Sequence, residues 1–336
     1  MRPRCAALLA LVSVAGARRA AAQGFFETDS VLAITLRADL RALFNDRDTS
    51  KVVWREATIT WAAADGPRTV PLRLRTRGVF RRGRCDVPPI RLRFTQDSVR
   101  GTPWHGLHHP KLTTHCMDRD EYEQNTLQEY TIYRAYRLFT PLSYSVRLLR
   151  ITWQDANDAR RPVTRYGFLI EDPDRFIERL HATQLTRPGT RFGGVEPANA
   201  ALVGVFQYLI ANSDWSLPGL HNIAVLRQDS VIRNVPYDFD WSGVIDARYA
   251  TPAPQLRIRS VRERVYRGFC QDEATLAPVL ARFEALKDSI AAVYRAVPGL
   301  EPRGVERSMQ YYDEFYQDIR DRRRFVRNIV TPTCLH

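Results

Sequence analysis

The sequence predicts an α+β fold in two unequal parts, the first rich in strands and the second mainly helical. Three patterns support this prediction. Apolar and polar residues alternate from Gly24 to about Arg100, as they do in strands with one buried face. Residues 120–140 change to a helical period. Beyond GFLIEDPDRF, at about 165–175, helical patterns dominate and one small hairpin interrupts them.

The N-terminal segment 1–22 predicts a signal peptide. Arg2 and Arg4 precede the apolar run CAALLALVSVAGA, and a stretch of alanines ends at Ala22, where cleavage would fall. An uncleaved anchor is the alternative, because two further arginines lie next to the alanines. The apolar run is shorter than the roughly 20 residues that a spanning helix needs, and no later segment qualifies. We therefore expect a secreted or periplasmic protein with no stable membrane span.

In the mature chain, a boundary at about residue 170 separates a strand-rich N-terminal lobe, 23–170, from a mainly helical C-terminal lobe, 171–336. The N-terminal lobe contains one long helix at 120–140, where apolar residues recur at helical spacing, with acids early and arginines late. The C-terminal lobe begins with the helix DPDRFIERLHA and the apolar helix PANAALVGVFQYLIAN. The strands IAVLRQ and SVIRNV follow, and two long helical segments end the chain.

The chain is basic, with a formal net charge of +13, and nearly all of its cations are arginine, since only Lys51, Lys111 and Lys287 are lysine. A basic balance can indicate nucleic acid or another anionic surface. Here the arginines are spread through every segment, including the predicted strands, as an arginine-rich coding bias would produce. We therefore expect no nucleic-acid partner. Arginine is the usual cation of this chain, so a lysine is the exception where it occurs.

Four cysteines follow the predicted signal peptide, and an even number in an exported chain indicates disulfides. Four cysteines allow three pairings. We favour Cys85–Cys116 and Cys270–Cys334, because the members of each pair lie in the same half of the chain. Free thiols are the alternative.

In the second half of the chain, two aspartates and an asparagine occur in an order that is typical of a metal site. Asp214 and Asn222 lie in the loop NSDWSLPGLHN after an apolar helix, and Asp238 follows the hairpin in PYDFDWSGVID. Because the helix, the loop and the returning hairpin can bring these side chains together, their oxygens suit a hard cation such as Mg²⁺ or Mn²⁺. Asp240 is a second metal ligand or a hydrogen-bond partner of the loop, and Asp238 is the stronger candidate. The alternative is that these residues cap turns.

This order is similar to that of protein kinases, in which an Asp orients the acceptor hydroxyl while a following Asn and a second Asp hold metal. The pattern D-x7-N…D-F-D resembles the kinase D-x4-N…D-F-G, with a longer loop. A kinase also needs a phosphate-binding lysine that a helix glutamate positions. Lys111 and Glu129 have a similar spacing, and Arg75 and Arg77 are rival phosphate-binding cations. The alternative is a solvent-exposed lysine and a surface glutamate.

Residues from about 70 to 245 resemble the CotH family of secreted, atypical kinase-like proteins. LRTRGVF resembles the strand and R-G turn of that family, YGFLIEDPDRF its G-x-Y-x-L-x-E segment, and N-x-D…HN…PYDFD its most diagnostic stretch. The chain is a divergent member, because the lysine that usually follows the R-G turn is absent and DVPPIRLRF has only Arg91 and Arg93 there.

The resemblance implies a two-lobed protein-kinase-like fold that binds ATP with Mg²⁺. It implies that Asp214 is the catalytic aspartate, that Asn222 and Asp238 are metal ligands, and that Glu171 belongs to the nucleotide site.

These features predict a secreted kinase-like phosphotransferase that moves phosphate from Mg-ATP to a hydroxyl of a protein or a small molecule. Its partners are then a nucleotide and a hydroxyl-bearing acceptor. Because ATP is scarce outside the cytoplasm, a non-catalytic secreted scaffold or surface protein is an alternative. A metal-dependent phosphoesterase that uses the same carboxylates is another. The chain has no G-x-S-x-G, Walker or G-x-G-x-x-G motif.

Overall fold

Seven β-strands in the first half of the chain close into a barrel. The structure is a computed structural model that describes residues 24–186 and 194–335, and the predicted signal peptide at 1–22 lies outside the described residues. The strands are β1 (Leu32–Ala38), β2 (Arg55–Ala63), β3 (Gly66–Thr76), β4 (Ile90–Phe94), β5 (Lys111–Thr114), β6 (Val146–Asp155) and β7 (Val163–Ile170). Their order around the barrel is β1-β2-β3-β4-β5-β7-β6.

The barrel closes because β1 pairs in parallel with β6, from Leu32 opposite Leu149 to Ala38 opposite Asp155. The other neighbouring strands pair antiparallel. This closure pairs both edges that an open sheet would expose. Apolar side chains that alternate with polar ones along the strands fill the interior, and they include Leu36, Ile59, Leu74, Leu92, Leu112 and Ile151.

The prediction of a two-lobed protein-kinase-like fold with a strand-rich N-terminal lobe is therefore wrong. The content is mixed α+β, but the strands form a closed seven-stranded barrel, with nine α-helices in the part of the chain that the structure describes. Alternation of apolar and polar residues indicates strands with one buried face, and it does not specify which strands become neighbours. The pairing of β1 with β6 joins segments far apart in sequence, which no local pattern reveals.

The helices lie mainly outside the barrel and in the second half of the chain. They are α1 (Leu40–Phe44), α2 (Phe80–Arg84), α3 (Gln96–Val99), α4 (Asp120–Phe139), α5 (Pro173–Arg179), α6 (Pro197–Leu209), α7 (Glu273–Ala296), α8 (Pro302–Asp318) and α9 (Arg322–Phe325). A π-helical turn, Val326–Val330, follows α9. Helix α4 contacts β6 and β7 on one side and α7 on the other, so it joins the barrel to the C-terminal helices.

A second core lies between α4, the outer face of the barrel and the C-terminal helices. Tyr133 of α4 packs on Phe168 of β7, with ring centroids 5.8 Å apart. Phe139 of α4 contacts Phe206 of α6 and Phe283 of α7. These aromatic side chains are buried, and such burial is the main favourable contribution to folding.

A small antiparallel sheet lies in the second half of the chain. Its strands are β8 (Thr183–Leu185), β9 (Ile223–Gln228) and β10 (Val231–Pro236), in the order β10-β9-β8. The β9–β10 hairpin begins directly after Asn222 and ends two residues before Asp238. Because Ile223 pairs with Pro236, Asn222 and Asp238 lie near each other at the open end of this hairpin.

Both predicted disulfides are confirmed. Cys85 is bonded to Cys116, and Cys270 is bonded to Cys334. Two such bonds are compatible with an oxidising compartment such as the periplasm or the cell exterior. Among the helices formed by residues 24–186 and 194–335, none combines the length and the apolar character that crossing a membrane requires.

Candidate functional site

Three of the predicted residues, Arg77, Lys111 and Asp238, meet where the outer face of the barrel faces helix α4 and the end of the β9–β10 hairpin. A small cavity lies at this place, with a volume of about 10 Å³, close to the space that a single water molecule occupies. It is lined by Arg77, Lys111, Tyr133, Tyr144, Ile170, Tyr237 and Asp238. Arg77, Lys111 and Asp238 are partly exposed, so a larger ligand can reach them from solvent.

Lys111 is the first residue of β5, and its backbone lies between Arg91 of β4 and Ile170 of β7. The ammonium group makes no hydrogen bond or ion pair with any residue that the structure describes, and its contacts are with two aromatic faces. It lies 4.9 Å from the ring centroid of Tyr237 and 5.9 Å from that of Tyr144. Burial lowers the pKa of Lys111 to about 8, the charge of Arg77 adds to this effect, and Asp238 opposes it.

Replacing Lys111 with methionine is expected to raise the free energy of unfolding at pH 7 by about 1–2 kcal/mol. The folded protein binds this proton less tightly than the unfolded chain, because the pKa falls from 10.5 to about 8. Wild-type stability should therefore increase as the pH rises from about 8 to about 10.5, and Lys111→Met should lack this increase. Urea unfolding at pH 7 and pH 10 measures both effects.

The control is Lys287→Met, since Lys287 is half-exposed and bonded to Asp313 at 2.6 Å. This variant should keep the wild-type pH dependence of stability. A Lys111→Met protein that is less stable than wild type at pH 7 would contradict the interpretation of Lys111 as a partly buried cation without an ion-pair partner among the described residues.

Asp238 presents an unpartnered carboxylate beside this lysine. Its backbone is left-handed, with φ of 64°, and its N–H donates to the Tyr133 hydroxyl at 2.8 Å. The carboxylate makes no hydrogen bond or ion pair with any described residue. Phe239, the next residue, is fully buried against Tyr133 and Phe206. Phe239 thus anchors the stretch in the core, while Asp238 remains at the cavity.

Asp240, in contrast, has protein partners. Its Oδ2 accepts a hydrogen bond from the Tyr249 hydroxyl at 3.0 Å and lies 3.6 Å from Nη1 of Arg81. The same Nη1 lies 3.9 Å from Oε2 of Glu129, and Nη2 donates to the Thr114 carbonyl oxygen at 2.6 Å. Among the described residues, Glu129 of α4 therefore pairs with Arg81, and the predicted partner, Lys111, forms no ion pair with it.

The Arg81, Glu129 and Asp240 side chains form a buried charge cluster. Burial raises the pKa of Glu129 well above its ordinary value, and Asp240 and Asp238 add to the increase. Burial likewise raises the pKa of Asp240 to about 6, and Asp238 contributes. Burial alone would lower the pKa of Arg81, but Tyr249, Asp240 and Glu129 outweigh it, and the pKa is raised. Arg81 thus remains charged and acts to lower the pKa of both acids, but burial and the neighbouring acids outweigh it.

Asp214 and Asn222 contact each other directly in the loop before β9. Nδ2 of Asn222 donates to the Asp214 carbonyl oxygen at 2.7 Å and to Oδ2 of Asp214 at 3.0 Å. Nε2 of His221 lies 3.0 Å from Oδ1 of Asp214. The Asn222 carbonyl oxygen accepts the N–H of Tyr237, the residue before Asp238, at 3.1 Å. The structure therefore joins Asp214, Asn222 and Asp238 through one short set of contacts.

Glu171 does not line the cavity with Lys111 and Asp238. Its side chain is fully buried and ion-pairs with Arg179 of α5, from Oε1 to Nη2 at 2.5 Å. The same Oε1 accepts the N–H of Ser145 at 2.7 Å. These contacts tie β7 and α5 to the segment before β6. Arg75 lies on the outer face of β3, two residues before Arg77 and opposite Arg91.

Arg81, Tyr133 and Tyr237 were not predicted as site residues from the sequence. The signal for Arg81 was the turn-like stretch RRGRCDVP, in which several arginines are equivalent by pattern alone. Tyr133 belongs to the apolar stripe of α4, and its hydroxyl gives it a second role that periodicity does not show. Tyr237 adjoins Asp238, and its ring lies under the Lys111 ammonium.

The donor set can be tested against the predicted metal ion. Within residues 24–186 and 194–335, no group of three or more His, Cys, Asp or Glu side chains is placed to hold a metal ion. A site built from protein carboxylates alone is therefore not supported. The carboxylate of Asp238 and Oδ1 of Asn222 make no hydrogen bond within the same residues, and oxygens of these two kinds are ligands that Mg²⁺ uses together with phosphates and waters. Mg²⁺ is usually bound in this way.

Comparison with known proteins assigns no family to the chain. None of the protein-family models matches it, and none of the curated proteins shows a significant match.

Proposed function

We propose that the protein is a phosphotransferase that moves a phosphoryl group from a Mg²⁺-bound nucleoside triphosphate to a hydroxyl of a protein or a small molecule. The observation that carries the proposal is the pair formed by Lys111 and Asp238. The ammonium and the carboxylate line one cavity, and neither makes a hydrogen bond or an ion pair with a described residue. A partly buried charge without a protein partner points to a ligand that provides one.

Each residue has a role that follows from its contacts. Lys111 and Arg77 would bind phosphate oxygens, and Asp238 and Asn222 would hold Mg²⁺. The ion, when bound, neutralises charge on the phosphates as the phosphoryl group moves. Arg81 and Glu129 hold α4 and the loop after β10 in place, and Asp240 belongs to this cluster.

Asp214 would accept the proton of the acceptor hydroxyl. Asn222 and His221 fix the position of its carboxylate from two sides. A carboxylate held in this way orients the hydroxyl oxygen toward the phosphorus atom, and positioning of this kind supplies much of the catalysis in phosphoryl transfer.

The proposed activity does not depend on the fold that the sequence predicted. The motifs LRTRGVF and PYDFD still resemble those of the CotH family, and we propose a divergent relationship to it on that basis. We place the protein in the periplasm or outside the cell, since its N-terminal segment resembles a signal peptide and two disulfides are present.

Thermal unfolding of the purified protein with ATP and Mg²⁺ tests the proposal. At a ligand concentration 100 times the Kd, binding stabilises the folded state by about 2.7 kcal/mol, so we expect the midpoint to rise by several degrees. The rise should require both ATP and Mg²⁺, and Asp238→Asn should abolish it.

Asp229→Asn is the matched control. Asp229 lies in the turn at the other end of the same hairpin, it is exposed, and its backbone is also left-handed, with φ of 52°. This variant should keep the full stabilisation. No stabilisation of the wild type at millimolar Mg-ATP would exclude the nucleotide-dependent activity and favour a non-catalytic scaffold. Release of phosphate from esters without any nucleotide would indicate a phosphoesterase instead.

A further inference from the structure

Three cations lie side by side on the outer face of the barrel. Arg75 of β3 is opposite Arg91 of β4, and Arg91 is opposite Lys111 of β5. We call these three residues the cation row. Their neighbours Leu74, Ile90, Leu92 and Leu112 point into the barrel core, so the row lies on the opposite face. Neighbouring strands are about 4.8 Å apart, and the row therefore spans about 10 Å.

The cation row has no anionic partner within the described residues. Within these residues, none of the three side chains forms an ion pair or donates a hydrogen bond. The Nε atoms of Arg75 and Arg91 are buried and have no acceptor. Burial lowers the pKa of Arg91, and Arg75 and Arg77 lower it further. Burial lowers the pKa of Arg75 as well, with Arg82 and Arg77 contributing.

The surroundings add positive charge and one aromatic platform. Arg77, two residues beyond Arg75 on the same face, lines the cavity with Lys111. The ring of Trp54 lies 5.3 Å from the guanidinium carbon of Arg75 and 5.8 Å from that of Arg93. Asp172 and Asp174 favour the charged form of Arg91, and Asp238 favours that of Lys111. Burial and the neighbouring cations outweigh these acids.

Such an arrangement is unfavourable in the protein alone. Like charges directly opposite each other on neighbouring strands destabilise a sheet, and partial burial increases the repulsion. An anion with several charges removes this repulsion and provides acceptors for the buried Nε atoms. A single phosphate reaches the side chains of two neighbouring strands, whereas a chain of phosphates can cover all three.

We propose that the cation row binds a linear phosphoanhydride chain, with its terminal phosphoryl group at Lys111 beside Asp238. The proposal rests on the phosphotransferase function and identifies its donor by chemistry. The terminal P–O anhydride bond breaks, and the acceptor oxygen forms a new P–O ester bond. The hydroxyl proton passes to Asp214. The phosphoanhydride chain, now one phosphate shorter, leaves with the electron pair of the broken P–O bond.

Two sources have this chemistry, a nucleoside triphosphate and inorganic polyphosphate. Titration calorimetry of the purified protein with Mg²⁺ and either ATP or inorganic tripolyphosphate distinguishes them, because only the ATP arm includes contacts with a nucleoside. Tighter binding of ATP assigns a nucleotide donor, and tighter binding of tripolyphosphate assigns the inorganic chain. Either result supports the cation row. Orthophosphate that binds as tightly as tripolyphosphate would overturn the assignment of a chain.

The double variant Arg75→Gln/Arg91→Gln tests the row itself. We expect it to bind the preferred chain at least about 10-fold more weakly, because two charge-assisted contacts are lost. Its thermal midpoint without anion should equal or exceed that of the wild type, since repulsion is removed. The control is Arg68→Gln, which removes one arginine charge from an exposed position of β3 and should leave binding unchanged.

The outcomes separate this proposal from the proposed function. Unchanged binding in the double variant, or a lower midpoint without anion, overturns the role of the row. If Mg-ATP stabilisation that needs Asp238 persists in the double variant, the row is wrong and the phosphotransferase stands. If the double variant no longer binds the phosphoanhydride chain but the wild type transfers no phosphate to any hydroxyl, the proposed role of the cation row is supported. The proposed phosphotransferase function is then wrong.

Discussion

Replacing Arg81 with methionine is expected to lower the free energy of unfolding by about 3–5 kcal/mol, because breaking a buried ion pair leaves uncompensated charge. The guanidinium lies 3.9 Å from the carboxylate of Glu129 and 3.6 Å from that of Asp240, and none of the three side chains is more than 11% exposed. Methionine fills a similar volume and leaves both acids without a cation. Urea unfolding at pH 8 measures the loss.

The free energy of unfolding of Arg81→Met should also depend on pH differently from that of the wild type. The folded-state pKa of Asp240 is already raised, from 3.8 to about 6, and the loss of Arg81 raises it further. A folded state that holds these protons more tightly than the unfolded chain loses stability as the pH rises from about 4 through the raised pKa. The difference between Arg81→Met and the wild type should therefore be smallest near pH 4 and largest at pH 8.

Arg84→Met is the control for the loss of an arginine from α2, since Arg84 is exposed at the last position of the same helix. It should change stability by less than about 0.5 kcal/mol. The double variant Arg81→Met/Glu129→Gln should recover part of the loss, because one of the two buried carboxyl groups that lose Arg81 is removed. An Arg81→Met protein as stable as the wild type at pH 8 would show that the cluster contributes nothing.

Removing either disulfide is expected to cost about 3–4 kcal/mol. The Cys85–Cys116 bond closes a segment of 31 residues, and the Cys270–Cys334 bond closes one of 64. If the bonds act by restricting the unfolded chain, the longer segment gives the larger effect by a few tenths of a kcal/mol. Paired Cys→Ala variants and urea unfolding provide the comparison. A loss below about 1 kcal/mol for either pair would contradict this expectation.

The two disulfides should differ in their effect on the site. Cys85 directly follows α2, which carries Arg81, and Cys116 lies shortly before α4, which carries Glu129. The Cys270–Cys334 bond joins the C-terminal tail to residues near Gly268, where Leu335 N–H donates to the Gly268 carbonyl oxygen at 2.9 Å. Loss of the first bond should therefore weaken ligand binding at the site, whereas loss of the second should affect stability alone.

Local sequence patterns predicted the strands and helices well and the arrangement of the strands poorly. The alternation of apolar and polar residues marks β2 and β3, and the change of period near residue 120 marks α4. These patterns report which face of an element is buried. They do not report that β1 lies parallel to β6, because that pairing depends on how the whole sheet twists and closes.

The proximity of Asp214, Asn222 and Asp238 was predictable because short segments join these residues. Asp214 and Asn222 share one loop, and the hairpin that follows returns the chain to Asp238. The expected pairing of Lys111 with Glu129 depended on side chains from two elements, and Arg81 from a third element is the cation that reaches Glu129. Sequence separation cannot decide between two cations, because their distances from Glu129 depend on tertiary packing.

The parallel pairing of β1 with β6 also imposes an order on biosynthesis. β1 is translated early, but its parallel neighbour follows only after four further strands and helix α4. One edge of β1 therefore stays unpaired while most of the barrel sequence emerges, and closing so long a loop is slow because of its entropy. The barrel therefore cannot close before Asp155, the last residue that pairs with β1, has been translated.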